Sequence, residues 1–143
     1  MPNEDKQGSG RNPLRPGSTL IVFVSSSGAD AQELRRLVGS YGLFVVNVPD
    51  LCGAISVIER TNPSVVVCDT EIEGEGSWRD LLETRQTDGT FTCIVVSPDP
   101  DDHLRAEVLN LGGFEVLTRP FRSEEVERTI GAAALLRFNG TKG

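Results

Sequence analysis

Four apolar runs in this chain each stop on residues that can handle charge. Val65-Val66-Val67-Cys68 stops on Asp69, Phe91 to Val96 on Ser97, Phe114 to Leu117 on Thr118 and Arg119, and Thr19 to Val24 on Ser25 and Ser26. Apolar runs of this length between turn signals read as strands buried on both faces. In open α/β sheets, ligands and chemistry sit outside the carboxyl ends of such strands. A strand-end Asp taken alone equally caps the turn that follows it. A carboxylate, hydroxyls and a guanidinium at four strand ends form a set, so Asp69, Ser26, Ser97 and Arg119 are predicted to converge, with Arg119 touching Asp69.

Other chemistries have little material. His103 is the only histidine, which leaves neither a Ser-His pair nor a His-based metal site much to work with. Cys52, Cys68 and Cys93 share no CxxC spacing and read as buried, reduced thiols. Lys plus Arg is 14 against 21 Asp plus Glu, a formal charge of −7, which argues against nucleic acid as the main partner. No apolar run approaches the ~20 residues of a membrane span, and no signal-peptide pattern opens the chain. A cytoplasmic protein is expected.

The elements that must position these residues follow in order. Residues 1–18 are mostly polar, Gly and Pro, and read as a flexible N-terminal arm. Ser27 is a plausible cap for a first helix with Leu34, Leu37, Val38 and Tyr41 on one face, ended by Gly42. Leu43 to Val48 is the second strand. Asp50 can cap a helix with Leu51, Ala54, Ile55 and Ile58 inward, stopped by Asn62-Pro63. Ser77 can cap the next, with Leu81 and Leu82 inward. The loop from Pro98 to Asp102 leads to a helix with Leu104, Val108 and Leu111. Ser123-Glu124-Glu125-Val126 starts the last, whose inner side carries Val126, Ile130, Ala133 and Ala134. Five strand–helix units in alternation mean a parallel sheet covered on both faces, with right-handed crossovers. One domain over residues 19–137 and a polar C-terminal tail over 138–143 are expected.

Asp69 at the end of strand three, Ser97 at the end of strand four, and Arg119-Pro120-Phe121 after strand five resemble the receiver domains of two-component response regulators. The resemblance covers about residues 19–137. It implies the flavodoxin-like strand order 2-1-3-4-5 and a cis Arg119–Pro120 bond. It also implies roles. Asp69 stands at the phosphoacceptor position, served by a histidine kinase. Ser97 and Arg119 stand at the phosphoryl-pocket positions. Any Mg²⁺ would be held by Asp69 and the backbone carbonyl of Glu71. Partners would dock on about residues 102–128.

The sequence departs from that pattern. The acidic pair that retains Mg²⁺ in the family falls on Ser25 and Ser26, whose neutral hydroxyls are poor substitutes around a hard ion. The family's Lys is Arg119, planar and forked. Pro98, after Ser97, has no N–H to offer a phosphoryl oxygen. The aromatic switch position is Val116, and the usual loop proline is Glu73. The expectation is a receiver-like interaction module that is no enzyme, has no cofactor, and binds Mg²⁺ weakly if at all. A working phosphoacceptor is the alternative. A lesser alternative is flavin mononucleotide binding, because Ser25-Ser26-Ser27-Gly28-Ala29-Asp30 resembles a flavodoxin phosphate loop. Trp78 is the one strong aromatic for stacking such a ring.

Overall fold

The computed structural model describes residues 20–88 and 91–140, the side chains of 85–88 and 135–140 excepted. The expected arm, residues 1–18, lies outside the described residues. Five strands form one parallel sheet in the order β2-β1-β3-β4-β5. They are β1 (Leu20–Val24), β2 (Phe44–Val48), β3 (Val65–Asp69), β4 (Thr92–Ser97) and β5 (Glu115–Thr118). Between and after them lie α1 (Gly28–Val38), α2 (Leu51–Thr61), α3 (Trp78–Asp88), α4 (Asp102–Asn110) and α5 (Ser123–Gly140). The predicted fold class and strand order hold.

Right-handed crossovers and this order dictate which helices share a face. The chain moves one way from β1 to β2 and the other way from β2 through β5. One face therefore receives α2, α3 and α4. Their Leu51, Ala54, Ile58, Trp78, Leu81, Leu82 and Val108 meet Val22, Val24, Val66, Cys68, Cys93, Val95 and Val116. The other face receives α1 and α5. Their Ala31, Leu34, Leu37, Val38, Val126, Ile130 and Ala133 meet Ile21, Phe23, Val65, Val67, Ile94, Val96 and Leu117. Alternation along each strand divides β1, β3 and β4 between the two layers, as a period of two requires.

The helix starts are local chemistry. Ser27 Oγ accepts from Asp30 N, Asp50 Oδ1 from Gly53 N, and Asp101 Oδ1 from Leu104 N. Ser77 and Asp80 form a reciprocal box, Ser77 Oγ accepting from Arg79 N and Asp80 Oδ2 from Ser77 N. Three details differ from the sequence reading. Tyr41 is exposed rather than part of the α1 stripe, because α1 ends at Val38 and a 3-10 turn over Gly39–Tyr41 swings it outward before left-handed Gly42. Cys52 is exposed on α2, while Cys68 and Cys93 are buried. And α5 runs to Gly140, past the expected start of the tail at 138. Phe138 does not break a helix, whereas Asn139-Gly140 is a common stop.

Candidate functional site

The strand order reverses between β1 and β3, so the crevice outside their carboxyl ends is the place for a site. Asp69 ends β3 there, with a relative exposure of only 1%. A carboxylate so placed must be paired or hydrogen-bonded. Three donors from three segments meet it. Ser25 Oγ, one residue past β1, donates to Oδ2 at 3.2 Å. Glu71 N, in the loop after β3, donates to Oδ1 at 3.0 Å. Arg119, just past β5, places Nη2 directly on Oδ2.

Each donor is held in turn. Ser25 N–H bonds Val48 O, its carbonyl accepts from Asn47 Nδ2 at 3.0 Å, and its hydroxyl accepts from Ser27 N at 3.1 Å. Arg119 N–H bonds Ser97 O at 2.9 Å, and the Arg119–Pro120 bond is cis as predicted. The Glu125 carboxylate of α5 reaches back to Thr118 N at 3.3 Å, which fixes the end of β5.

The guanidinium has more than one partner. Its Nε donates to Asp30 Oδ2 at 2.8 Å, and its Nη1 lies 3.9 Å from Glu71 Oε1. The sequence reading missed Asp30. The signal present was Ser27-x-x-Asp30 at the start of a helix, which locates the residue but not its partner 89 positions away.

The predicted set assembles only in part. Asp69, Ser25 and Arg119 are in contact. Ser26 is exposed, whereas Ser25 beside it is buried. Ser97 is buried at the end of β4, where its hydroxyl accepts from Asp99 N at 3.0 Å. Pro98 is exposed. Val116 is buried in β5, opposite Val95. Its branched side chain belongs to the core layer beneath α4.

The loop from Ser25 to Asp30 is the segment that resembles a flavodoxin phosphate loop. The Ser27 and Asp30 amides already donate to serine hydroxyls within the loop. Trp78 is 3% exposed among Leu81, Leu82 and Leu51, so its ring is part of the core.

No family model matches the sequence. The response regulator protein GraR of Staphylococcus haemolyticus is 22% identical over 104 residues, which are 72% of this chain and 46% of that protein. The chain thus spans about half the length of that relative. Solved structures resemble it more completely. The signal receiver domain of a protein assigned as a LuxO repressor from Vibrio parahaemolyticus superposes with a TM-score of 0.80 at 18% identity, covering 90% of this chain and 96% of that one. That of an HD domain-containing protein from Pseudomonas fluorescens Pf-5 gives 0.76 at 21%, covering 88% and 99%. A response regulator from Thermotoga maritima gives 0.74 at 19%, covering 85% and 99%. The fold is that of response-regulator receiver domains. Among the described residues, no helix is long and apolar enough to cross a membrane.

Proposed function

We propose that this chain is a receiver domain of two-component signalling that works in the cytoplasm as a protein-contact module, without regulated phosphorylation of Asp69. The observation that carries this reading is the Arg119 guanidinium seated on Asp69 Oδ2. A phosphoaspartate carries nearly two negative charges. Forming one requires cations or donors free to meet the incoming oxygens, and metal clamps are the usual means. Here Ser25 and Ser26 are neutral, the Ser25 hydroxyl donates to Asp69, and Pro98 has no N–H. The charge of Arg119 is already answered by Asp30 and Asp69. A carboxylate, a hydroxyl and a guanidinium do not make the oxygen-rich octahedral shell that Mg²⁺ demands. Mg²⁺ therefore binds weakly if at all, and no step runs through it.

Output then rests on contact. The face from α4 through β5 to α5, about residues 102–128, carries exposed Leu109 and half-buried Arg105 on α4 and exposed Arg128 on α5, and suits a partner protein or a second copy. Charge reversal at Arg128 or Arg105 should weaken such a complex; silence there, with loss on changing α1, would move the contact to α1.

Acetyl phosphate with millimolar Mg²⁺, followed by intact-mass spectrometry, tests the chemistry. No adduct is expected. An adduct of ~80 Da on the wild-type chain, absent in Asp69→Asn, would overturn this reading. It would put in its place a phospho-accepting receiver served by a histidine kinase.

A further inference from the structure

Arg119 faces carboxylates on all three sides, two of them at hydrogen-bond distance, while the third, Nη1, lies 3.9 Å from the exposed Glu71 carboxylate. Nη2 meets Asp69 at the end of β3, and Nε meets Asp30 in the first turn of α1. We infer that Asp30 is a positioning residue, a second carboxylate that aims the Arg119 guanidinium at Asp69 and fastens the β5–α5 turn to α1.

The placement of Asp30 is built rather than incidental. Its own N–H is held by Ser27 Oγ at 3.1 Å, which fixes the first turn of α1. The Asp30 and Arg119 side chains are only 21% and 22% exposed, so the pair is sheltered on both sides. The identity of residue 119 fits this geometry. A guanidinium presents five donors in a rigid plane and can serve two carboxylates at two edges. An ammonium is a single point of charge and cannot hold both in fixed directions. Arg at this position, where the receiver pattern has Lys, is accounted for by the presence of Asp30.

The consequence rests on the reading given under Proposed function. The turn that carries Arg119 is bonded to Ser97 O and leads directly into α5. With its position set by two carboxylates of the same chain, the docking face stays in one arrangement without a signal.

The test separates the Asp30 contact from a mere helix-start effect. In ¹⁵N-resolved NMR, the Arg119 Nε–H should be protected from solvent exchange. Asp30→Asn keeps the size of the side chain and removes its charge. It should speed Nε–H exchange about tenfold or more, while Asp69→Asn, which frees Nη2, should change it less than about twofold. Equal exchange in Asp30→Asn and the wild type would overturn the inference. The second arm is urea unfolding. Arg119→Lys should lower the folding equilibrium constant about tenfold in the wild-type background and less than about twofold in Asp30→Asn, where the second edge no longer matters. Equal losses in both backgrounds would also overturn it. A phosphoryl adduct on Asp69 would sink the contact-module reading and leave both of these results standing, so the two failures are distinguishable.

Discussion

Replacing Arg119 by Met would leave Asp69 charged and buried with its cation gone. Methionine keeps much of the arginine stem's apolar packing, so the change acts mainly through charge. Removing one partner of a buried ion pair costs about 3–5 kcal/mol, because the remaining charge stays desolvated. Two features of this site reduce that figure. Ser25 Oγ and Glu71 N continue to donate to Asp69, at 3.2 and 3.0 Å. The Arg119 side chain is 22% exposed, so water gains a route to the carboxylate once it is shortened. A loss of about 2–3 kcal/mol results. With a urea dependence of about 2 kcal/mol per molar for a domain of this size, the unfolding midpoint should fall by ~1–1.5 M. The control is Asp69→Asn/Arg119→Met. A neutral amide can accept from the same hydroxyl and backbone N–H with no charge left buried, so about 1–2 kcal/mol should return. If Arg119→Met costs less than ~1 kcal/mol, or if the double variant is no better than the single one, Asp69 does not depend on Arg119 and the clasp described above is not what holds this site.

Two further outcomes follow from the loops and the surface. Gly76 has φ +94°, and a Cβ built there would lie 2.5 Å from Leu51 Cδ2. Gly76→Ala should therefore lose about 1–3 kcal/mol in urea unfolding, whereas Gly28→Ala, whose Cβ meets nothing within 4 Å, should lose nothing; similar losses in both would show that the loop after β3 yields freely. Arg79 of α3 and Glu107 of α4 pair through two bonds of 2.5 and 2.9 Å, and the arginine's hydrogen bond holds the Glu107 carboxyl below its usual range. A carboxylate lowered in the folded state stabilises above its unfolded pKa, and that contribution is lost as pH falls through its folded value. The midpoint gap between wild type and Arg79→Gln should thus narrow from pH 7 to pH 3, and narrow in high salt at pH 7; a gap that stays constant would rule the pair out as its source.

What could be read from the sequence differs between the fold and the site for a physical reason. The strands were legible because each is a run of β-branched and other apolar residues closed by a turn, and most helices because Ser27, Asp50, Ser77 and Ser123 announce the start. These signals are local, so position alone carries them. The strand order came from the resemblance, and right-handed crossovers then fixed which helices share a face. Positions at strand ends were legible for the same reason, and they brought Asp69 and Arg119 together correctly. Side-chain direction within a turn was not. Ser25 and Ser26 are adjacent and alike in type. Only the path of the chain past β1, where Ser25 N–H bonds Val48 O, decides that the first is buried and the second exposed. Ser97 stands at the expected strand end, and its hydroxyl also accepts from Asp99 N, a local side-chain-to-backbone bond that no spacing reveals.

Asp30 was the least legible of all, and its case bears on how the site should be understood. Reading inward from Asp69, one looks for groups at strand ends, since that is where this sheet concentrates them. Asp30 comes instead from the first turn of a helix. There an acidic residue is expected simply because it favours the N-terminal end of the helix dipole. Its second employment, on Arg119, follows from the sheet topology, in which the start of α1, after β1, reaches Arg119 at the end of β5 across β3 and β4. The groups that would have to be free for phosphoryl chemistry are thus the same groups that satisfy one another: the hydroxyl and the guanidinium on Asp69, and the guanidinium on Asp30. Chemistry at Asp69 would require breaking a buried pair before any incoming group could repay the loss. A partner that recognises only the outer face of α4, β5 and α5 makes no such demand, and that asymmetry favours contact over phosphorylation as the use of this site.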